Sequence, residues 1–131
     1  MKILTWNIRH GGGTRIDSII DVLMENYESQ LLIISEYRNN RNGIILRDKL
    51  KHLGYTFQTP NISNEQKVNS VFIAGKQSFT HTSFDELGEH KQRVIRIEIN
   101  DLTIYGCYFP QKNLKKIVFD FLLNKVSENL E

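Results

Sequence analysis

Lys2-Ile3-Leu4-Thr5-Trp6-Asn7-Ile8 is an apolar run that closes on a polar tip, and Leu31-Leu32-Ile33-Ile34-Ser35-Glu36 is a second that closes on a carboxylate. Both read as strands. The unbroken apolar character of the second fits a strand covered on both faces. Between them Gly11-Gly12-Gly13 makes a flexible turn, and Ile16, Ile19, Ile20, Leu23, Met24 and Tyr27 recur at helical spacing. Thr14 stands where it can cap that helix, with Asp17 near the positive helix end. Strand, crossover helix, strand is the unit of a layered α/β architecture. Strands flanking such a crossover lie as neighbours, which sets Asn7 and Glu36 together at one end of a sheet.

The rest of the chain follows the same logic. A second helix is predicted over about residues 43–53, with Leu46, Leu50 and Leu53 on one face and Gly54 as its stop. Residues 60–67 are polar and loop-like, residues 68–74 read as a strand, and residues 76–91 carry only weak patterning. Ile95, Ile97 and Ile99 alternate with Arg96 and Glu98, so residues 93–99 read as a strand with one buried face. The turn types Asn100-Asp101 join it to a further strand over residues 102–109. Asn113 can cap a last helix whose stripe is Leu114, Ile117, Val118, Phe121, Leu122 and Val126. No repeat, low-complexity tract or linker divides the chain, so residues 1–131 read as one domain.

Composition narrows the class. Hydrophobic residues make up 40% and charged residues 24%, which excludes disorder. A net charge of +2 permits a nucleic-acid partner without arguing for one. Cys107 is the one cysteine, which excludes an intramolecular disulfide and fits a reducing compartment. No apolar run approaches the ~20 residues that span a bilayer, so a cytoplasmic protein without membrane association is expected.

Three residues carry candidate chemistry. Glu36 at a strand end is a hard oxygen ligand suited to Mg²⁺ or Mn²⁺, although a carboxylate emerging into solvent would look the same. Asn7 could orient that ligand or contact a phosphate oxygen, or simply close its strand before a glycine turn. Tyr108, in Gly106-Cys107-Tyr108-Phe109-Pro110-Gln111, offers a hydroxyl to a phosphate, or is an aromatic at a strand rim. His10, His52, His81 and His90 lack metal-ligand spacing and read as surface residues. Lys112, Lys115 and Lys116 beside Tyr108 and Phe109 form a small basic–aromatic patch, read first as a solvated helix start.

Taken in order, Trp6-Asn7, Glu36, the Val68–Lys76 strand and Tyr108-Phe109-Pro110-Gln111 resemble the endonuclease/exonuclease/phosphatase superfamily, exonuclease III-like members above all. The resemblance implies the N-terminal half of a two-sheet, DNase I-like α/β sandwich, a mixed sheet with helices on one face. It implies a Mg²⁺- or Mn²⁺-dependent phosphodiesterase acting on nucleic acid, DNA foremost. Glu36 and Asn7 would serve the metal, and Asn7, Glu36 and Tyr108 the catalysis. Two departures bear on substrate: Ile8-Arg9-His10-Gly11 replaces the usual Asn-Gly after the strand, and Ser35 replaces Gln. The family's later Asp-x-Asn and Asp-His motifs are absent, since no Asp follows Asp120 and no His follows His90. A truncated, inactive form is therefore expected, its half-sandwich joined to another copy through an uncovered sheet face. The rival readings are a phosphatase or phospholipid phosphodiesterase of the same superfamily, and a non-catalytic interaction module.

Overall fold

The computed structural model describes residues 1–26 and 28–129. The order is β1 (Ile3–Asn7), α1 (Ile16–Glu25), β2 (Leu31–Tyr37), α2 (Arg41–His52), β3 (Phe57–Gln58), β4 (Ser70–Gly75), β5 (Thr80–Ser83), β6 (Val94–Ile99), β7 (Leu102–Cys107) and α3 (Leu114–Asn129), with 3-10 segments at His10–Arg15 and Asp85–Arg93. One sheet runs β1-β2-β4-β3 and the other β5-β6-β7. β1 and β2 are parallel, as the crossover requires, with Asn7 level with Ser35. The remaining pairs are antiparallel, so the first sheet is mixed.

The two sheets close on each other. Leu31, Val71 and Ile73 of the first meet Ile95, Ile97 and Ile99 of the second in one apolar cluster. Those isoleucines are 1%, 0% and 1% exposed, which corrects the expectation that they lack cover. They are covered by the first sheet, and a second, three-stranded sheet, β5-β6-β7, lies within this chain. Its edge strand β5 is the polar Thr80-His81-Thr82-Ser83, which carries no apolar alternation to announce it. Gly106 permits the close approach: a Cβ there would lie 2.9 Å from Ile73 Cδ1 and 3.0 Å from Val71 Cγ1. Each fully buried Ile or Leu contributes about 1.5–3 kcal/mol, so this interior is a principal source of stability.

Helical cover lies outside the sheets. Ile19, Leu23, Leu46 and Leu50 from α1 and α2 pack on Leu32, Ile34 and Phe72 of the first sheet. α3 contributes Val118 to a smaller cluster with Phe84, Leu87 and Val94 outside the second. Asn40 caps α2 by accepting from the Gly43 amide at 3.1 Å, and Gly54, at φ 98°, ends it as expected. A side chain at Gly43 would meet the Arg38 carbonyl at 2.1 Å, so glycine lets α2 start hard against the end of β2.

Three expectations fail locally. Thr14 does not cap α1, which begins at Ile16 without a side-chain cap, because Gly11, Gly12 and Gly13 carry the chain through a positive-φ turn ahead of it. Met24 is 48% exposed and outside the stripe, and Tyr27 lies outside the described residues. The stripe of α3 is half uncovered: Val118 is buried, whereas Leu114, Ile117 and Val126 are 43%, 47% and 42% exposed.

Candidate active site

β2 is irregular between Ile34 and Tyr37. In strict alternation Glu36 would share the helix-covered face of Leu32 and Ile34. The slip hands that place to Tyr37, which is 1% exposed and stacks on Phe72 at 4.8 Å. Glu36 is thereby turned aside into a left-handed backbone, φ 57°. Its side chain is 12% exposed and lines a cavity of about 790 Å³.

Asn7, Tyr108 and Glu36 line that same cavity, with Arg9, His10 and Arg93. β1 delivers Asn7, whose Oδ1 accepts from the Arg9 amide at 2.9 Å and so turns the chain at the strand tip. Tyr108 follows β7, tied to the residue just before β6 by its amide donating to the Arg93 carbonyl at 2.8 Å. The Arg93 guanidinium stands 5.5 Å from the Tyr108 ring centroid. Its Nε and Nη1 are buried and make no hydrogen bond among the described residues. Buried donors without partners are costly, and an anionic oxygen is what such a guanidinium lacks.

Sequence reasoning missed Arg93, Arg9 and His10. The sequence reads Arg93 as the first residue of the strand over 93–99, whereas it closes the 3-10 segment just before β6. Arg9 and His10 looked like turn residues, and both take positive φ, 55° and 49°. Strain in non-glycine backbone gathers at functional sites, and Arg9, His10 and Glu36 all line one cavity. His10 is not merely a surface residue. Its Nδ1 lies 3.0 Å from Arg38 Nη2 and 3.5 Å from Glu36 Oε1. Arg38 can only donate, so that contact takes His10 Nδ1 as its acceptor. His10 is exposed as expected, whereas His90 is not at the surface, being 6% exposed. The Lys-ended strand β4 points Lys76 away from this cavity, toward the Tyr55 ring at 5.2 Å.

The donor set is oxygen-rich and small. Glu36 and Asn7 offer the hard oxygens that Mg²⁺ or Mn²⁺ prefers. Among the described residues no group of three or more His, Cys, Asp or Glu side chains could hold a metal. The fit is therefore right in kind and weak in number. Beside the cavity, a groove of about 550 Å³ runs between Thr5, Asn7 and Ile33 on one sheet and Tyr105, Gly106 and Cys107 on the other. Burial pushes the Cys107 thiol up to about 11.

No family model and no curated protein sequence matches the chain. Solved structures do. The endonuclease/exonuclease/phosphatase from Beutenbergia cavernae superposes with a TM-score of 0.55 at 14% identity, over 88% of this chain and 40% of that one. ANGEL2, a 2′,3′-cyclic phosphatase, gives 0.52 at 14% identity, over 72% and 34%. Truncated TDP2 of Caenorhabditis elegans gives 0.64 at 16% identity, over 98% and 55%. The chain thus has the DNase I-like α/β fold of endonuclease/exonuclease/phosphatase proteins and spans only part of their length. No helix among the described residues is long and apolar enough to cross a membrane.

Proposed function

We propose that this chain is the phosphate-binding part of a metal-assisted phosphoesterase whose substrate is nucleic acid. The observation that carries the reading is the meeting of Glu36, Asn7, Tyr108 and the unpartnered Arg93 guanidinium in one cavity. Glu36 and Asn7 would hold Mg²⁺ or Mn²⁺, which supplies Lewis-acid stabilisation of the charge that builds on a phosphoryl oxygen. Arg93, whose side chain lines the cavity, would neutralise and orient the phosphate by its charge. The Tyr108 hydroxyl donates to a non-bridging oxygen, its ring held by the guanidinium above it. Hydrolysis requires that water add to phosphorus, the ester P–O bond break and the leaving oxygen gain a proton. Among the described residues Glu36 is the one carboxylate lining the cavity, and as a metal ligand it would not be free to take a proton from water. Slow turnover by these residues alone follows, since a missing general acid–base group costs 10²–10⁴-fold.

The supporting comparison is of fold, together with the 2′,3′-cyclic phosphatase activity of ANGEL2. The test is a panel of Mg²⁺ and Mn²⁺ assays on this chain and on the full reading frame that contains it. Abasic, single- and double-stranded DNA, RNA, cyclic phosphates and a phospholipid would be offered in parallel. Metal-dependent cleavage of a nucleic-acid member by the full frame, abolished by Glu36→Ala, is the expected result. Activity on the phospholipid alone would overturn the substrate assignment. Robust cleavage by the 131-residue chain would overturn the expectation of slow turnover.

A further inference from the structure

Glu36 is held by a clamp that the cavity does not itself require. Asn69, just before β4, donates from Nδ2 to Glu36 Oε1 at 3.1 Å. Arg38, two residues past Glu36, donates from Nε to Asn69 Oδ1 at 2.7 Å. The other arm of the same guanidinium reaches His10 Nδ1 at 3.0 Å, and Asn69 Nδ2 also lies 3.3 Å from that nitrogen. Three segments far apart in sequence thus converge on one carboxylate. The glycine turn makes room for this: a Cβ at Gly11 would stand 3.1 Å from Arg38 Cβ.

A left-handed glutamate is strained and persists only where its surroundings over-determine it. Asn69 supplies that constraint at the carboxylate, and Arg38 supplies it at Asn69. The bonding is directional throughout. Asn69 spends its oxygen on Arg38 and its amino group on Glu36, so its orientation is fixed by a group that can only donate. One carboxylate oxygen is taken by Asn69, which leaves Oε2 for a ligand in the cavity.

We infer that Asn69 and Arg38 are positioning residues: they lock Glu36 in its strained conformation with one oxygen presented to a divalent cation. The inference rests on the reading of Glu36 as the metal-holding carboxylate, and its experiment separates the two. Nuclear magnetic resonance on the isotope-labelled chain reads the clamp directly, because left-handed φ brings Hα of Glu36 close to its own amide proton and gives a strong intraresidue cross-peak. Titration with Mn²⁺ reads the cation through broadening of signals around Glu36, and works at weak affinity.

Asn69→Leu keeps the branching of the side chain and removes both bonds. It should weaken the Glu36 cross-peak and raise the Mn²⁺ concentration for half-broadening by about tenfold, the lower end of the cost of losing an outer-shell partner. Arg38→Ala should give part of both effects, Arg38→Lys should recover most of them, and the double variant should be no worse than Asn69→Leu, because the two act in series. A folded Asn69→Leu chain with an unchanged cross-peak overturns the clamp, as do additive losses in the double variant. Broadening that survives Glu36→Gln unchanged overturns the metal reading instead, and the cross-peak still decides the clamp.

Discussion

At the scale of single residues, Arg93 sets function against stability. A guanidinium with buried, unpartnered Nε and Nη1 destabilises the fold that carries it. Arg93→Met should raise thermal stability by about 1 kcal/mol and weaken binding of a short DNA oligonucleotide about tenfold, the scale of one charge-assisted hydrogen bond. Thermal melts and fluorescence anisotropy check the two signs, and a loss of both properties would mean that Arg93 is a packing residue. Cys107 behaves differently. Its folded thiol keeps its proton up to about 11, against 9.0 for the ordinary value, because burial disfavours the thiolate. The unfolded chain therefore binds fewer protons between those values, and stability falls as pH rises through that window. At neutral pH the thiol should react with a disulfide reagent far more slowly than glutathione does, with full reactivity in denaturant.

Among the elements, the sandwich interior and the outer stripe of α3 make opposite predictions. Ile97→Ala opens a cavity between the sheets and should cost about 2–5 kcal/mol in chemical denaturation. Leu123→Ala, at a position 52% exposed, should stay within about 0.5 kcal/mol. Equal costs would mean that α3 is covered on both sides. What the sequence made legible follows the same division. Strands with strong apolar content (β1, β2, β4, β6 and β7) could be read because burial forces period and composition on them. The Asn100 hairpin could be read because its turn demands a left-handed residue, and Asn100 takes φ 54°. β5 could not, since a polar edge strand is defined by its partner β6 and not by its own side chains. Asn7, Glu36 and Tyr108, singled out in the sequence at or beside strand ends, line one cavity. The site was illegible at Arg93, His10 and Asn69, which act through contacts across the sheets. No spacing rule joins His10 to Asn69, although the structure sets their side chains 3.3 Å apart.

Across the whole molecule, the site is divided unequally among elements of different depth. β4 is buried at every position and pairs on both sides, with β2 and β3. Among the described residues β1 is an edge strand that pairs only with β2, and Ile3, on the inward face level with Leu31, is 41% exposed. Native-state hydrogen exchange should therefore find β1 amides opening well below the global unfolding free energy while those of β4 open only with it. Uniform protection would show that β1 is as firmly held as the centre. Asn7 travels with β1, and Glu36 with β2. The unlatching of one terminal strand would then silence the cavity in a molecule that every global probe still reports as native. Loss of ligand binding on mild warming should thus precede the melt, and return on cooling without refolding.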